Sequence, residues 1–292
     1  MKASLERNDR PGPTHRFWLH VLDKPGWGWA LWFSFAIVIV SARFSSSWTQ
    51  GSVIGDYRDA AFRWIEGQPL FSGTGNVFVY LPHAAILFTP FTLLPFAWAG
   101  TMWRIINLGV FAVGVWRFAR LAGRDSSRHL FCLVSLISIA LGWASFMHGQ
   151  MTIIMEGMML LTVVDLVDQK WSRAAFWMTL GFLKPLIIVL VLLAAVLYPR
   201  TSWRLAIGAG LLFLLPFLTQ QPTYVWSQYV DGLQELRTAA NVRIAREYAQ
   251  LFWMFREAGW VVPPAGQTAS RIVAAVLTLM ASWVVVRKCA PA

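Results

Sequence analysis

Acidic side chains are scarce in this chain: 14 Asp and Glu stand against 25 Lys and Arg in 292 residues, and charged residues of both signs make up only 13% of it. So little charge excludes a soluble domain of this length. The 57% of hydrophobic residues, with 17 Trp and 20 Phe, point instead to lipid as the solvent. Cysteine is nearly absent. Cys132 sits inside an apolar block and Cys289 near the end of the sequence, which leaves neither a disulfide framework nor a cysteine metal cluster. Residues 1–26 carry Lys2, Arg7, Arg10, Arg16 and Lys24 without an apolar core, so they are expected to be a basic cytoplasmic tail and not a cleavable signal. Also missing are a Gly-rich nucleotide loop, a Walker-type Lys, a metal-ligand spacing of His, Cys and Glu, and a Gly-x-Ser-x-Gly nucleophile. The net charge of +11 does not make nucleic acid the expected partner, because most Lys and Arg punctuate the ends of apolar blocks. Headgroup contact and topology control put them there.

Helix-length apolar sequence, by contrast, is abundant. Runs near 27–42, 101–118, 129–147, 151–168, 171–183, 185–198, 204–218 and 271–287, with a weaker proline-containing run at 81–97, predict an all-α polytopic membrane protein of about 8–9 segments. Basic clusters lie at 2–24, at Arg117, Arg120, Arg124 and Arg128, at Lys170 and Arg173, at Arg200 and Arg204, and at Arg287 and Lys288. If all are cytoplasmic, the 43–80 loop, the turn from His148 to Met151, Lys184 and the 219–270 loop share the opposite side. The expected organisation is a single transmembrane domain over 27–287, in an inner membrane with its N-terminus cytoplasmic, followed by a cytoplasmic end at 288–292. Two readings of 81–97 remain open. Pro82, Pro90 and Pro95 favour a re-entrant or broken segment, whereas a full crossing breaks the charge rule at the Arg117 cluster. The runs 171–183 and 185–198 are short and meet at Lys184-Pro185, where the chain is expected to leave the helix.

The densest chemistry lies between the first two apolar blocks, where Ile54 to Pro95 reads IGDYRDAAFRWIEGQPLFSGTGNVFVYLPHAAILFTPFTLLP. Ionisable groups at a membrane edge are costly unless paired, wetted or used, which marks this stretch as the place for a site. Asp56 precedes a helix pattern over 57–66 and is a favoured N-cap residue. Asp59 stands four residues before Arg63, the spacing of an ion pair, and Gly67 is placed to cap the helix end. Lys184 lies between LGFL and PLIIVLVLL, so it either snorkels far to the interface or serves an anion. Glu156, in mid-span, needs a partner or water. Val225, Tyr229, Gly232, Leu233 and Leu236 recur at helical spacing and predict a surface helix within 219–270.

The run GDYRDAAFRWIEGQPLF, followed by VYLPHAAILFTPFTLLPFAWAGTMWRIINL, is similar to the opening of the polyprenol-phosphate-sugar-dependent glycosyltransferases of family 87, members of the GT-C superfamily. Those show an acidic residue, a Tyr, a small-residue pair, Gly-x-x-Pro-Tyr, Tyr-Pro-Pro, and then a Trp and an Asn in the next span. HGQMTIIMEGMMLL resembles their Gly-Gln-x-Asn block, and LGFLKPLIIVLVLLAAVLYPRTSWR their Lys-Pro block. The three blocks keep the family's order and cover residues 54–205. Tyr80-Leu81-Pro82-His83 departs from Tyr-Pro-Pro, Phe71 replaces a Tyr, and Thr152 an Asn.

The resemblance implies a GT-C-like helical bundle that moves a hexose, mannose among the options, with inversion from a polyprenyl phosphate to an acceptor outside the cytoplasm. It implies Asp56 as the general base, taking the proton of the attacking hydroxyl, and Lys184 as the cation that steadies the departing phosphate. Tyr57, Arg58, Tyr80, His83, His148 and Gln150 would complete the substrate-binding set. For His148 and Gln150 the alternative is satisfaction of helix-end backbone groups, and for His83 a satisfied buried histidine. The expected partners are the polyprenyl-phosphate sugar and membrane lipids. No cofactor is expected, since the donor arrives as a lipid, and metal dependence stays open. A rival from another class is a non-catalytic polyprenyl-phosphate-binding or flippase-type protein, which would use Lys184 without a base.

Overall fold

The computed structural model describes residues 26–42, 52–71, 78, 80–123, 127–184, 188–244 and scattered positions between 260 and 280. The expected basic tail through residue 25, all of 43–51, most of 245–270, most of the span at 271–287 and the end at 288–292 fall outside the described residues, as do Arg124, Pro185 and Cys289.

Among the described residues every regular element is helical: α1 (Trp27–Ala42), α2 (Ile54–Ile65), α3 (Pro82–Thr92), α4 (Phe96–Gly123), α5 (Ser127–His148), α6 (Met151–Val167), α7 (Trp171–Gly181), α8 (Ile188–Leu197), α9 (Pro199–Leu214) with a 3-10 turn at Leu215–Leu218, and α10 (Pro222–Ile244). Three stretches, Phe96–Gly123, Ser127–His148 and Pro199–Leu218, are long and apolar enough to cross a membrane, and α1 is a shorter apolar helix. A helical membrane protein stands; among the described residues three helices of crossing length do not make up the expected 8–9 segments. Helix α6 has 17 residues and α3 and α7 have 11 each, fewer than the roughly 20 that a perpendicular crossing takes.

Proline sets the breaks. Pro82 opens α3 at a position where its missing N–H costs nothing, and Pro90 lies within that helix. Leu93, Leu94 and Pro95 then interrupt the chain before α4, so the 81–97 run is a short helix, a break and the start of a long one. After α7 the amides of Phe182, Leu183 and Lys184 bond to the carbonyls of Thr179, Leu180 and Gly181 at 3.0, 3.1 and 3.2 Å, a tightened last turn that ends where Pro185 was expected to stop it.

The chain divides into two compact units, Met1–Ile54 with Leu94–Gln169, and Gly55–Leu93 with Lys170–Ala292. In the first, α4 packs along α6 and α5, and α1 lies against α5 and α4. Glycine makes the α4–α6 contact possible. A Cβ on Gly157 would fall 2.7 Å from Phe111 Cα, and one on Gly114 2.7 Å from the Gly157 carbonyl, so the two backbones meet directly, as small residues allow between membrane helices. Trp32, Phe35, Phe111 and Phe146 form an edge-to-face cluster with centroids 5.2 to 5.9 Å apart. Trp32 Nε1 finds Ser135 Oγ at 2.9 Å, which satisfies the indole donor inside that core. Arg117 bridges α4 to α6, its Nη2 lying 2.7 Å from Asp165 Oδ1 and 3.5 Å from Asp168 Oδ2. In the second unit, α9 packs on α7, while α10 lies against α3 and the 3-10 turn.

Candidate active site

Asp56 occupies the third position of α2, inside the first turn and half-buried. The helix begins at Ile54, which corrects the expected Asp56 N-cap of a 57–66 helix. Ser52 Oγ instead accepts the Ile54 amide at 3.4 Å, and Asp56 adds its charge where the helix dipole is positive. Arg63 also departs from expectation. It donates to the Leu70 carbonyl at 3.4 Å rather than pairing with exposed Asp59. Gly67 ends the helix as expected: with φ at 66° it lets Gly67 N and Gln68 N return to the carbonyls of Trp64 and Arg63 at 3.2 and 2.8 Å.

Tyr57 and Tyr80 lie together within the second unit, both buried, their hydroxyls 3.1 Å apart. Tyr57 stacks on Phe88 of α3 with centroids 4.4 Å apart, so its ring is held from two sides. Arg58 reaches the Thr92 carbonyl at 3.5 Å and lies over the Phe62 ring at 5.6 Å, joining α2 to the end of α3. His83 is buried, with Nε2 at 3.2 Å from the Phe182 carbonyl and Nδ1 at 3.4 Å from the Tyr229 hydroxyl. Lys184, half-buried, closes the turn after α7 in this same unit.

His148 and Gln150 belong to the first unit. His148 is the last residue of α5, Gly149 takes φ 70°, and Gln150 precedes α6. The amides of Gly149 and Gln150 turn back to Phe146 and Ser145 at 3.1 and 3.0 Å, a Schellman closure that needs a left-handed residue. Around it stands a network that hydropathy alone had hidden. Trp103 Nε1 donates to the Gly149 carbonyl at 2.8 Å, Arg104 Nε to Met147 O at 2.7 Å, and Arg104 Nη2 to Ser52 Oγ at 2.9 Å. Val53 N reaches the His148 carbonyl at 3.1 Å. Asn107 takes Ile154 N on its Oδ1 at 3.2 Å and gives its amide to Trp103 O at 2.8 Å. The signal for Arg104 was present: a cation inside the apolar 101–118 run carries the same warrant as Lys184.

Helix α10 supplies a second set that sequence reasoning had passed over. Gln220, Tyr224, Gln228 and Gly232 recur every four residues, one stripe of a helix and the turn before it. Gln220 Nε2 donates to Trp64 O at 2.6 Å, Tyr224 to Gln68 O at 2.6 Å, and Gln228 Oε1 accepts Leu70 N at 2.7 Å. Gly232 leaves room for the Phe71 ring, whose Cζ would be 2.9 Å from a Cβ there. Trp64 Nε1 meets Thr219 Oγ1 at 3.2 Å. Burial pushes the Tyr224 phenol up to about 12, which keeps it a donor. Of the five positions whose spacing predicted this helix, Val225, Tyr229 and Gly232 are buried, Leu236 is half-buried and Leu233 is exposed.

The sequence model for glycosyltransferase family 87 matches residues 78–292. The chain belongs to glycosyltransferase family 87. With its apolar helices, this family-87 member is a membrane glycosyltransferase. Tyr80, His83, His148, Gln150 and Lys184 fall inside the matched stretch; Asp56, Tyr57 and Arg58 lie ahead of it. No curated protein and no solved structure matches the chain. Among the described residues no group of three His, Cys, Asp or Glu side chains gathers as metal ligands would.

Proposed function

We propose that this family-87 glycosyltransferase moves a hexose, mannose being one option, from a polyprenyl phosphate to a hydroxyl acceptor on the outer side of a cell membrane, with Asp56 as base and Lys184 as phosphate binder. The acceptor proton passes to the Asp56 carboxylate while its oxygen attacks the anomeric carbon. The bond from that carbon to the phosphate oxygen breaks, its electrons stay on the phosphate, and the Lys184 ammonium stabilises them. One carboxylate and one displacement give inversion.

The observation that supports this reading most is that Asp56 and Lys184, 128 positions apart in sequence, belong to one compact unit, both half-buried at the end or start of a helix. Asp56 stands in the first turn of α2, where the helix dipole favours a negative charge. The deciding experiment is transfer from a radiolabelled polyprenyl-phosphate hexose by the purified protein in lipid nanodiscs. Asp56→Asn should abolish transfer, by at least about a thousandfold for a lost base, and still bind the donor, while exposed Asp59→Asn turns over normally. Undiminished turnover in Asp56→Asn refutes the base and favours a lipid-binding or flippase-type role.

A further inference from the structure

We propose that His83 is a positioning residue for Lys184: its imidazole holds the carbonyl at the end of α7 and so fixes the turn from which the lysine presents its ammonium to a lipid phosphate. The proposal rests on the phosphate role given to Lys184 above.

Helix α7 ends at Gly181 with Phe182 as its cap, and the last carbonyls of a helix have no partner within it. His83 Nε2 takes up the one on Phe182 at 3.2 Å. A carbonyl only accepts, so Nε2 carries the proton and, in the neutral ring, Nδ1 does not. Nδ1 stands 3.4 Å from the Tyr229 hydroxyl, whose proton has a shorter path to the Phe213 carbonyl at 3.0 Å. Tyr229 is itself stacked on Phe213, with centroids 4.6 Å apart. His83 is 4% exposed and sits in the first turn of α3, directly after Pro82. The imidazole is thus carried by the first turn of α3 with the Tyr229 ring of α10 packed beside it, and its one committed proton goes to Phe182.

One residue, Leu183, separates that carbonyl from the lysine backbone. Leu183 is 2% exposed, and the amides of Leu183 and Lys184 are tied to Leu180 O and Gly181 O. The turn therefore has little freedom of its own. A ring buried this deeply costs free energy unless its polar atoms are bonded, and an apolar side chain would fill the same space without that cost. What the histidine adds is a hydrogen bond to the backbone just ahead of Lys184.

The test uses the full chain in detergent, labelled competitively with acetic anhydride and read at Lys184 by mass spectrometry, with exposed Lys170 as the internal reference. Loss of the Nε2 proton in His83→Leu should change Lys184 reactivity by about threefold or more, because amine reactivity follows its surroundings. His83→Gln, whose amide can donate to the same carbonyl, should restore it. Should His83→Leu fail to fold, His83→Asn, too short to reach, supplies the comparison with Gln. Equal Lys184 reactivity in wild type and in the variant lacking the donor overturns the proposal. In a second arm, binding of farnesyl phosphate should weaken by about tenfold in the Leu variant, the effect of one displaced charge contact, and by nothing further once Lys184→Ala is present. A penalty that persists in the Lys184→Ala background also overturns it. If wild type binds no farnesyl phosphate while Lys184 labelling still follows His83, the phosphate role falls and the positioning stands.

Discussion

Removing the guanidinium of Arg104 should destabilise the first unit more than any conservative change to its apolar core. Arg104 is 1% exposed, and three of its nitrogens serve three acceptors: Nε to Met147 O at 2.7 Å, Nη1 to Gly100 O at 3.1 Å and Nη2 to Ser52 Oγ at 2.9 Å. A hydrogen bond to a charged group contributes about 1.5–3 kcal/mol. The Gly100 carbonyl keeps its helical partner, so the loss concentrates on Met147 and Ser52. Arg104→Met should therefore cost about 3–5 kcal/mol, the loss of two charge-assisted bonds whose acceptors stay behind. Arg104→Lys retains the charge, but a single ammonium cannot stand at three corners of a fork, and about 2 kcal/mol should still be lost. Ser52→Ala removes two bonds, the one from Arg104 and the longer one from the Ile54 amide, and should cost about 1–2 kcal/mol, less than additively in the Arg104→Met background because the partners are shared. The measurement is reversible SDS unfolding in mixed micelles, followed by far-UV circular dichroism, with exposed Arg128→Met as the control. If Arg104→Met lies within about 0.5 kcal/mol of wild type, as surface changes do, the network is incidental and the reasoning is wrong.

Other outcomes follow from the same geometry. Gly157→Val places a side chain where Phe111 backbone atoms lie 2.7 and 2.8 Å away, and should cost about 1–3 kcal/mol in the same assay; Gly109→Ala, with nothing within 4 Å, should not. Asp165→Asn turns the 2.7 Å ion pair of Arg117 into a contact with a neutral amide, Asp168 remaining at 3.5 Å, and should lose about 1.5–3 kcal/mol. Replacing both residues together, by Leu and Met, should recover most of it. Tyr224 carries a pH signature. Its folded phenol is raised to about 12 against 10 in the unfolded chain, so its contribution is complete below pH 10 and fades as the pH rises through 12. Tyr224→Phe should abolish that alkaline loss and cost about 1 kcal/mol at neutral pH through the missing bond to Gln68; an unchanged alkaline unfolding curve in the variant would refute the assignment.

Apolar length and charge placement made several helices legible. The break ahead of Pro185, the Gly67 cap and the late surface helix all came from local rules about proline, glycine and period, which act within a few residues. Local rules failed where the partner was distant. Asp56 looked like an N-cap because nothing nearby revealed that the helix starts three residues earlier, at Ile54, whose amide meets a Ser52 anchored to Arg104. Asp59 and Arg63 had the spacing of an ion pair, but the Leu70 carbonyl competed for the arginine. The stripe on α10 escaped notice because glutamines and a tyrosine read as solvent-facing until the Trp64–Leu70 backbone supplies their acceptors and donors. Lys184 stood out as a cation at a helix break in an apolar stretch and His83 as a histidine beside Pro82; only the folded chain ties one to the turn beside the other.

The clasp between α10 and the Trp64–Leu70 segment has a consequence for biogenesis. A ribosome releases the chain from its N-terminal end, so the backbone groups around Gln68 and Leu70 emerge about 150 residues before Tyr224 and Gln228 exist to receive them. During that interval the nascent segment must keep those groups hydrated or chaperoned, and a product truncated before Pro222 would never close it.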